Sequence, residues 1–467
     1  MKSAHRRLLL LAILLYGLIV SLVDLDYNSV FIDEAFQITM GQEIIRGEPC
    51  LGCPHHTGSV MIWPVLAALA DSAGGIHAVR ILTIVIGLAL TVIVYATASM
   101  LFGGSLGLTA AALFMCTGQT LYLMKLGTYD MIAAFFIGAS FFMFVVSASV
   151  TAPWHRNLAI VFGAAALFLA AITKYLLPVF VPSLVLYVLF KHGIKRTALF
   201  CVLPLAVLGA LYLGFDRYAP RMQVLGQVET YANIKVPLAT MFDWAFRWIA
   251  LVLLLAVFGI FHERHGKTAI AFIALSSPII ILHLVTRAEQ SVNKNMIFAL
   301  IFLVPAAALG VEHLVKIFSF GAKHRIVRGF FTVSILVIFW AYGLFNLRWL
   351  ERQYPDVTPV IEFFETKGFD GMTVAFNGWD GVIYDYVLED RYPNARFLNM
   401  FEIRKTDSPR PAFAERVDFV VCEDLFYGKM SPCSQFGPYF EDDFVLLRNF
   451  TIEHSWGKTD ALIYGRR

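Results

Sequence analysis

The sequence predicts an α-helical polytopic membrane protein of about eleven spans, with a large first external loop and a small C-terminal α/β domain. Three observations predict it. Hydrophobic residues make up 58% of the 467 residues and charged residues only 15%, where a soluble domain carries roughly 25% charge. Mean hydropathy is +0.68, and the apolar residues gather in runs of about 20, the length a helix needs to cross a bilayer. Beyond residue 347 the composition changes: charge density rises, and short β-prone runs stand between Gly, Pro and Asp clusters. A chain this apolar cannot cover a water-facing surface, but helices that close their own backbone hydrogen bonds satisfy a lipid-facing one. The net charge of +3 is too small to indicate nucleic acid.

The N-terminus places Lys2, Arg6 and Arg7 before an apolar run from Leu8 to Val23. The small-x-small pattern of a cleaved signal is missing, so a retained first span is expected. The apolar runs are 8–23, 79–100, 105–123, 131–150, 157–172, 175–190, 197–214, 244–261, 268–286, 294–314 and 329–347. The run 58–70 is too short to span and is expected at the interface or as a re-entrant segment. The mixed, aromatic stretch 215–243 suits an amphipathic surface helix. These runs set a transmembrane domain at 1–347, with 24–78 as its first external loop, and an external soluble α/β domain at 348–467.

Orientation follows from Lys and Arg in the short loops. With a cytoplasmic N-terminus the inner loops hold Arg156, then Lys191, Lys195 and Arg196, then Arg264 and Lys267, then Lys316, Lys323, Arg325 and Arg328. The opposite loops carry both signs, with Asp24, Asp26, Asp33, Glu34, Glu43, Asp130, Asp216 and Glu229 among them. Within the tail, Met372–Phe376, Val417–Cys422 and Phe444–Leu447 read as strands. Cys50, Cys53, Cys422 and Cys433 fall in the external segments, which suits an oxidising compartment. Two local disulfides, structural free thiols, and metal ligation by the run Cys50–His56 remain the alternatives. No internal repeat and no phosphate-cradling Gly-rich loop is present.

The chemistry-bearing residues cluster on the external side. Phe36, Met40 and Ile44 repeat at helical spacing after the first span, predicting a surface helix that begins at Asp33 and Glu34. Carboxylates there serve either as a helix N-terminal cap or as a general base whose pKa partial burial raises. Asp130 immediately precedes an otherwise uncharged span, where an ionisable group is costly. Its alternative is also a cap, with Thr128 competing. Arg80, Lys174, Lys294 and Arg287 stand at span ends on the same side. Each is either an interfacial snorkeler or a ligand of an anionic headgroup such as a lipid phosphate, with His55 and His56 assisting.

The order of these elements resembles the C-type superfamily of integral-membrane glycosyltransferases. It runs from the first span to Asp33-Glu34, a Pro/His loop, the span start at Arg80, Tyr129-Asp130-Met131, and Thr173-Lys174 between spans. The pattern is closest to the protein mannosyltransferase-like branch, which includes the aminoarabinose transferase acting on lipid A, and it covers residues 8–310. The resemblance implies that Asp33 is the catalytic base, with Glu34 and Asp130 beside it. It implies that Arg80, Lys174 and Lys294 hold the lipid phosphate and that the anomeric centre inverts. Relatives carry a Lys-Pro-Pro or Glu-Lys-Pro run where this chain has Pro54-His55-His56, so His55 or His56 takes the place of one phosphate contact.

The expected function is transfer of a sugar from a polyprenyl-phosphate carrier to a hydroxyl of a glycan, lipid or protein acceptor. The expected setting is the periplasmic or extracellular side of a bacterial inner or plasma membrane. The partners are that carrier, the acceptor and membrane lipids, with no nucleic acid. No cofactor is required by this reading, and a divalent metal stays open. The alternatives are an oligosaccharide-transferring member with a lipid-diphosphate donor, a multi-pass transporter, and a non-enzymatic assembly or receptor protein.

Overall fold

A computed structural model of the chain describes residues 3–47, 62–174, 176–202, 235–287, 291–319, 325–377, 381–389, 391–399, 417–423, 442–455 and 457–467. It divides into two compact units. One comprises Met1–Leu25 and Met40–Leu347, the other Asp26–Thr39 and Arg348–Arg467.

The first unit is a helical bundle. Its helices are α1 (Ser3–Leu22), α3 (Ile62–Phe102), α4 (Gly104–Met115), α5 (Gly118–Lys125), α6 (Tyr129–Ser149), α7 (Pro153–Thr173) and α8 (Val181–His192). Then come α9 (Leu238–Gly259), α10 (Gly266–Thr286), α11 (Val292–Phe318) and α12 (Arg325–Glu351). Helix α2 (Ile32–Arg46) starts among residues of the second unit and ends among those of the first. Eight described helices are long and apolar enough to cross a membrane, or nine if the bent pair α4–α5 counts as one span.

Several apolar runs take shapes that hydropathy does not reveal. The run 105–123 is two helices meeting at 63°. Thr117 makes the bend: its hydroxyl donates to the Phe114 carbonyl at 2.9 Å and accepts from the Thr120 amide at 3.4 Å, closing one helix and opening the next. The short run 58–70 is described from Ile62 and forms the start of α3, which breaks at Gly74 and Gly75 before continuing as a span. Gly75 has φ 63°, a conformation that glycine adopts without penalty. The run 175–190 holds a 3₁₀ turn at Leu177–Phe180 and the 12-residue α8, which alone is only about 18 Å long. The surface helix expected at 215–243 lies mostly outside the described residues, and its end belongs to α9, which already starts at Leu238.

Helix α11 is apolar on every side from Met296 to Val311 and buried throughout that stretch, as a bundle's central helix must be. Its contact with α9 is made backbone to backbone. A Cβ on Gly310 would stand 1.8 Å from the Leu255 carbonyl oxygen, and one on Gly259 would stand 2.4 Å from that of Ala306. Small residues permit this approach where lipid offers no hydrophobic drive to association. Gly310→Val is therefore expected to cost about 1–3 kcal/mol, read as a lower midpoint in detergent thermal unfolding. Gly329→Ala, with open space around the new Cβ, is expected to leave the midpoint unchanged.

The second unit contains a five-stranded mixed sheet of order β2-β1-β3-β5-β4. The strands are β1 (Thr373–Phe376), β2 (Arg396–Asn399), β3 (Phe419–Glu423), β4 (Phe444–His454) and β5 (Gly457–Arg466). Strand β1 runs parallel to β2 and β3, while β5 pairs antiparallel with β3 and β4. Helices α13 (Thr358–Lys367) and α14 (Gly381–Leu388) complete it. The core gathers Phe364, Val374, Phe376, Tyr384, Val420, Val421 and Ile463. The three expected strand runs lie on β1, β3 and β4. The four-residue β2 and the polar-interrupted β5 become strands because neighbours complete their hydrogen bonds. Cys422 is disulfide-bonded, while Cys116 and Cys201 are free; Cys50, Cys53 and Cys433 lie outside the described residues.

Segment Asp26–Thr39 is held to the residues after α12. The Asn28 amide donates to the Tyr354 carbonyl at 3.0 Å, the Ser29 amide to Asp356 Oδ1 at 3.1 Å, and the Phe31 and Tyr354 rings stand 4.2 Å apart.

Candidate active site

In the bundle, Asp130, Lys174 and Lys294 come together where α6 begins and α7 ends. Trp63 is fully buried and donates its indole N–H to the Gly127 carbonyl at 3.2 Å. The Thr83 hydroxyl donates to the Met124 carbonyl at 2.8 Å. These two bonds fix the turn that leads into α6. Asp130 sits in the first turn of α6 and is 0% exposed. Its Oδ2 accepts from the Thr128 hydroxyl at 2.8 Å, and its Oδ1 pairs with Lys174 Nζ. The cap reading therefore gives way at this position: Thr128 occupies the N-cap but its side chain caps no backbone amide, and the carboxylate serves an ion pair.

Lys174 closes α7 and is 1% exposed. Its ammonium group lies 4.8 Å from the Tyr129 ring centroid and 5.6 Å from that of Phe298. Both rings present a negative face to it. Lys294, 2% exposed in the first turn of α11, is near enough for its charge to act on Asp130. A carboxylate and two ammonium groups from α6, α7 and α11 thus share one buried end of the bundle. Charges are kept in such a place only when paired or when they serve a ligand.

Arg80 is 1% exposed and donates to the Leu25 carbonyl at 2.7 Å. Lys125, also 1% exposed, donates to the Val23 carbonyl at 3.0 Å. Together they satisfy carbonyls of the turn that follows α1. Arg287 is half-buried, takes the left-handed conformation at the end of α10, and its carbonyl accepts from the Val236 amide at 3.2 Å. His55 and His56 lie outside the described residues.

Asp33 and Glu34 belong to the second unit. Both stand in the first turn of α2, which begins one residue before Asp33. Glu34 is fully buried, and its Oε2 accepts from the Phe31 amide at 2.9 Å, one half of a capping box. Asp33 is half-buried beside it.

Sequence reasoning did not single out Lys125, His283, Asn295 or the polar core of the tail. Asn295 is fully buried, and its amide lies 3.0 Å from Nε2 of buried His283, joining α11 to α10. In the tail the Tyr384 hydroxyl donates to buried Glu423, whose backbone is bracketed by Asn377 at 2.8 and 2.9 Å. A polar side chain inside an apolar run was the available signal for His283 and Asn295. Among the described residues no three His, Cys, Asp or Glu side chains gather as metal ligands.

The helical bundle followed by a small α/β unit is the fold of the C-type integral-membrane glycosyltransferases, and the chain is an integral multi-pass membrane protein. No protein-family model and no curated protein sequence matches it. Among solved structures, ArnT from Cupriavidus metallidurans bound to undecaprenyl phosphate is similar at a TM-score of 0.62 and 12% identity, over 99% of this chain and 98% of that one. The Archaeoglobus fulgidus oligosaccharyltransferase in its apo form is similar at 0.58 and 13% identity, over 90% of this chain and 70% of that one. The arabinofuranosyltransferase AftD from Mycobacteria matches at 0.54 and 11% identity, over 100% of this chain and 40% of that one.

Proposed function

We propose that the protein is an inverting glycosyltransferase that takes a sugar from a polyprenyl-phosphate carrier and transfers it to an acceptor hydroxyl on the non-cytoplasmic face. The observation that carries this reading is the buried cluster of Asp130, Lys174 and Lys294 at one end of the bundle, in a fold that also serves a protein crystallised with undecaprenyl phosphate. The disulfide at Cys422 supports an oxidising compartment for the tail. The basic inner loops support the same orientation.

In the proposed reaction the carrier enters sideways from the bilayer with its head near this end of the bundle. Lys174 and Lys294, with Arg80, hold the phosphate and stabilise its charge as the sugar leaves. Asp33 takes the proton of the acceptor hydroxyl. The acceptor oxygen attacks the anomeric carbon, and the carbon–oxygen bond to phosphate breaks with its electron pair. Polyprenyl phosphate departs, and configuration inverts. Asp130 and Glu34 orient the acceptor or the sugar.

The test is a panel of radiolabelled polyprenyl-phosphate sugars offered to the protein in proteoliposomes, with acceptor-containing membranes supplied. One donor is expected to be consumed, by transfer or by slow hydrolysis. If no monophosphate donor is consumed while a diphosphate-linked oligosaccharide is, the donor class is wrong, although the C-type fold stands. The likeness to an oligosaccharyltransferase makes that outcome the second reading, and loss of activity on chelation would accompany it.

A further inference from the structure

The end of the bundle opposite Asp130 carries a basic cleft that the transfer reaction does not use. Helices α6 and α7 are each 21 residues long, so about 30 Å separate their two ends. At the far end a cavity of about 340 Å³ is lined by Asn157, His192, Gly193, Ile194, Lys195, Arg196 and Leu199. The chain turns at Gly193 and is helical again over 194–202. Gly193 takes φ 78°, a turn that a side chain would strain.

The cleft is built rather than incidental. Arg196 donates from Nε to Asn157 Oδ1 at 3.2 Å and from Nη1 to the His192 carbonyl at 3.4 Å. His192 Nε2 lies 3.0 Å from the Ser147 hydroxyl. Arg156 closes the turn between α6 and α7 through the Val150 carbonyl at 2.9 Å.

Its electrostatics are of one sign. No Asp or Glu occurs between Met131 and Phe215. The charges that reach His192 are those of Arg196, Arg156 and Lys191, all cations. No carboxylate among the described residues pairs with Arg156, Lys191, Lys195 or Arg196. The surroundings are apolar and open: Trp154, Phe190, Ile194 and Val202 are 63%, 83%, 70% and 62% exposed. A soluble anion would need only the cations. A cationic cleft edged by bare aromatic and aliphatic surface matches an amphiphile, with a phosphodiester head and acyl chains lying along the helices.

We infer that this cleft binds the headgroup of an anionic phospholipid, with Lys195, Arg196, Arg156 and Lys191 around the phosphodiester and the chains running beside Phe190 and Ile194. The site lies at the cytoplasmic end of α6 and α7 by the basic-loop rule. It does not depend on the identity of the sugar donor.

The test uses the full-length protein in neutral detergent, titrated with phosphatidylglycerol, with phosphatidylcholine and with inorganic phosphate. Binding is read by native mass spectrometry and thermal shift. Phosphatidylglycerol is expected to bind and to raise the midpoint, while the other two leave it unchanged. The double substitution Lys195→Gln and Arg196→Gln is expected to weaken phosphatidylglycerol more than tenfold, about fivefold per cation. A second measurement needs no variant: a photoactivatable phosphatidylglycerol should label wild-type peptides covering 154–162 and 186–202 ahead of other lipid-facing helices. Equal binding by wild type and variant, equal binding of phosphatidylcholine, or uniform labelling would overturn the site. Inorganic phosphate matching phosphatidylglycerol would make it a soluble-phosphate site and overturn the lipid assignment.

Discussion

Asp33→Asn is expected to lower sugar transfer by about 10²–10⁴-fold, the range that removal of a general base produces. Asparagine keeps the size of the side chain and its place in the first turn of α2, but it cannot take a proton. Folding should survive, because the capping bond to the Phe31 amide comes from Glu34 rather than Asp33. Thermal shift by polyprenyl phosphate should survive too, since Asp33 is not assigned to the phosphate. Asp33→Glu should recover part of the turnover. The measurement is transfer of the donor found in the panel, under single-turnover conditions with wild type in parallel. Full turnover in Asp33→Asn would place the base elsewhere.

The second large effect concerns stability. Both side chains of the Asp130–Lys174 pair are 1% exposed. Asp130→Asn or Lys174→Met alone breaks the buried pair by removing one member, a loss of about 3–5 kcal/mol. Replacing both removes both charges, and the double variant is expected to be more stable than either single one. Thr128→Val deletes only a hydrogen bond to a charged group, about 1.5–3 kcal/mol. Unfolding midpoints of the four proteins in detergent give the cycle directly. Additive losses would show that the two groups do not interact. The same set separates fold from function. If the pair only builds the bundle, the folded double variant retains carrier affinity. If Lys174 also holds the phosphate, the double variant folds and no longer binds the carrier.

Asp130 and Lys174 also show how far the sequence carried the site. Each was conspicuous alone, because an ionisable group beside an apolar run is costly and so marks a function or a partner. That they partner one another was not legible across 44 positions, since it depends on α6 and α7 running back along each other. Arg80 was visible as a cation at a span start, and Lys125 was not singled out. Their donation to the carbonyls at Leu25 and Val23 depends on where α1 ends in space. For Asp33 and Glu34 the sequence left cap and catalytic readings open, and the bond from the Phe31 amide assigns a capping duty to Glu34.

The membrane class, most of the long apolar helices and the α/β character of the tail were determined by sequence alone. The reason is that lipid demands about 20 apolar residues per crossing and an uninterrupted helical backbone, a constraint written locally. Non-local contacts decided the rest. The backbone contact at Gly310, the strands β2 and β5 and the shared buried end of α6, α7 and α11 all depend on residues distant in sequence. Whether a buried charge is paired, and with what, is a property of the packed bundle, because low dielectric makes the partner's position rather than the residue's identity set its energy.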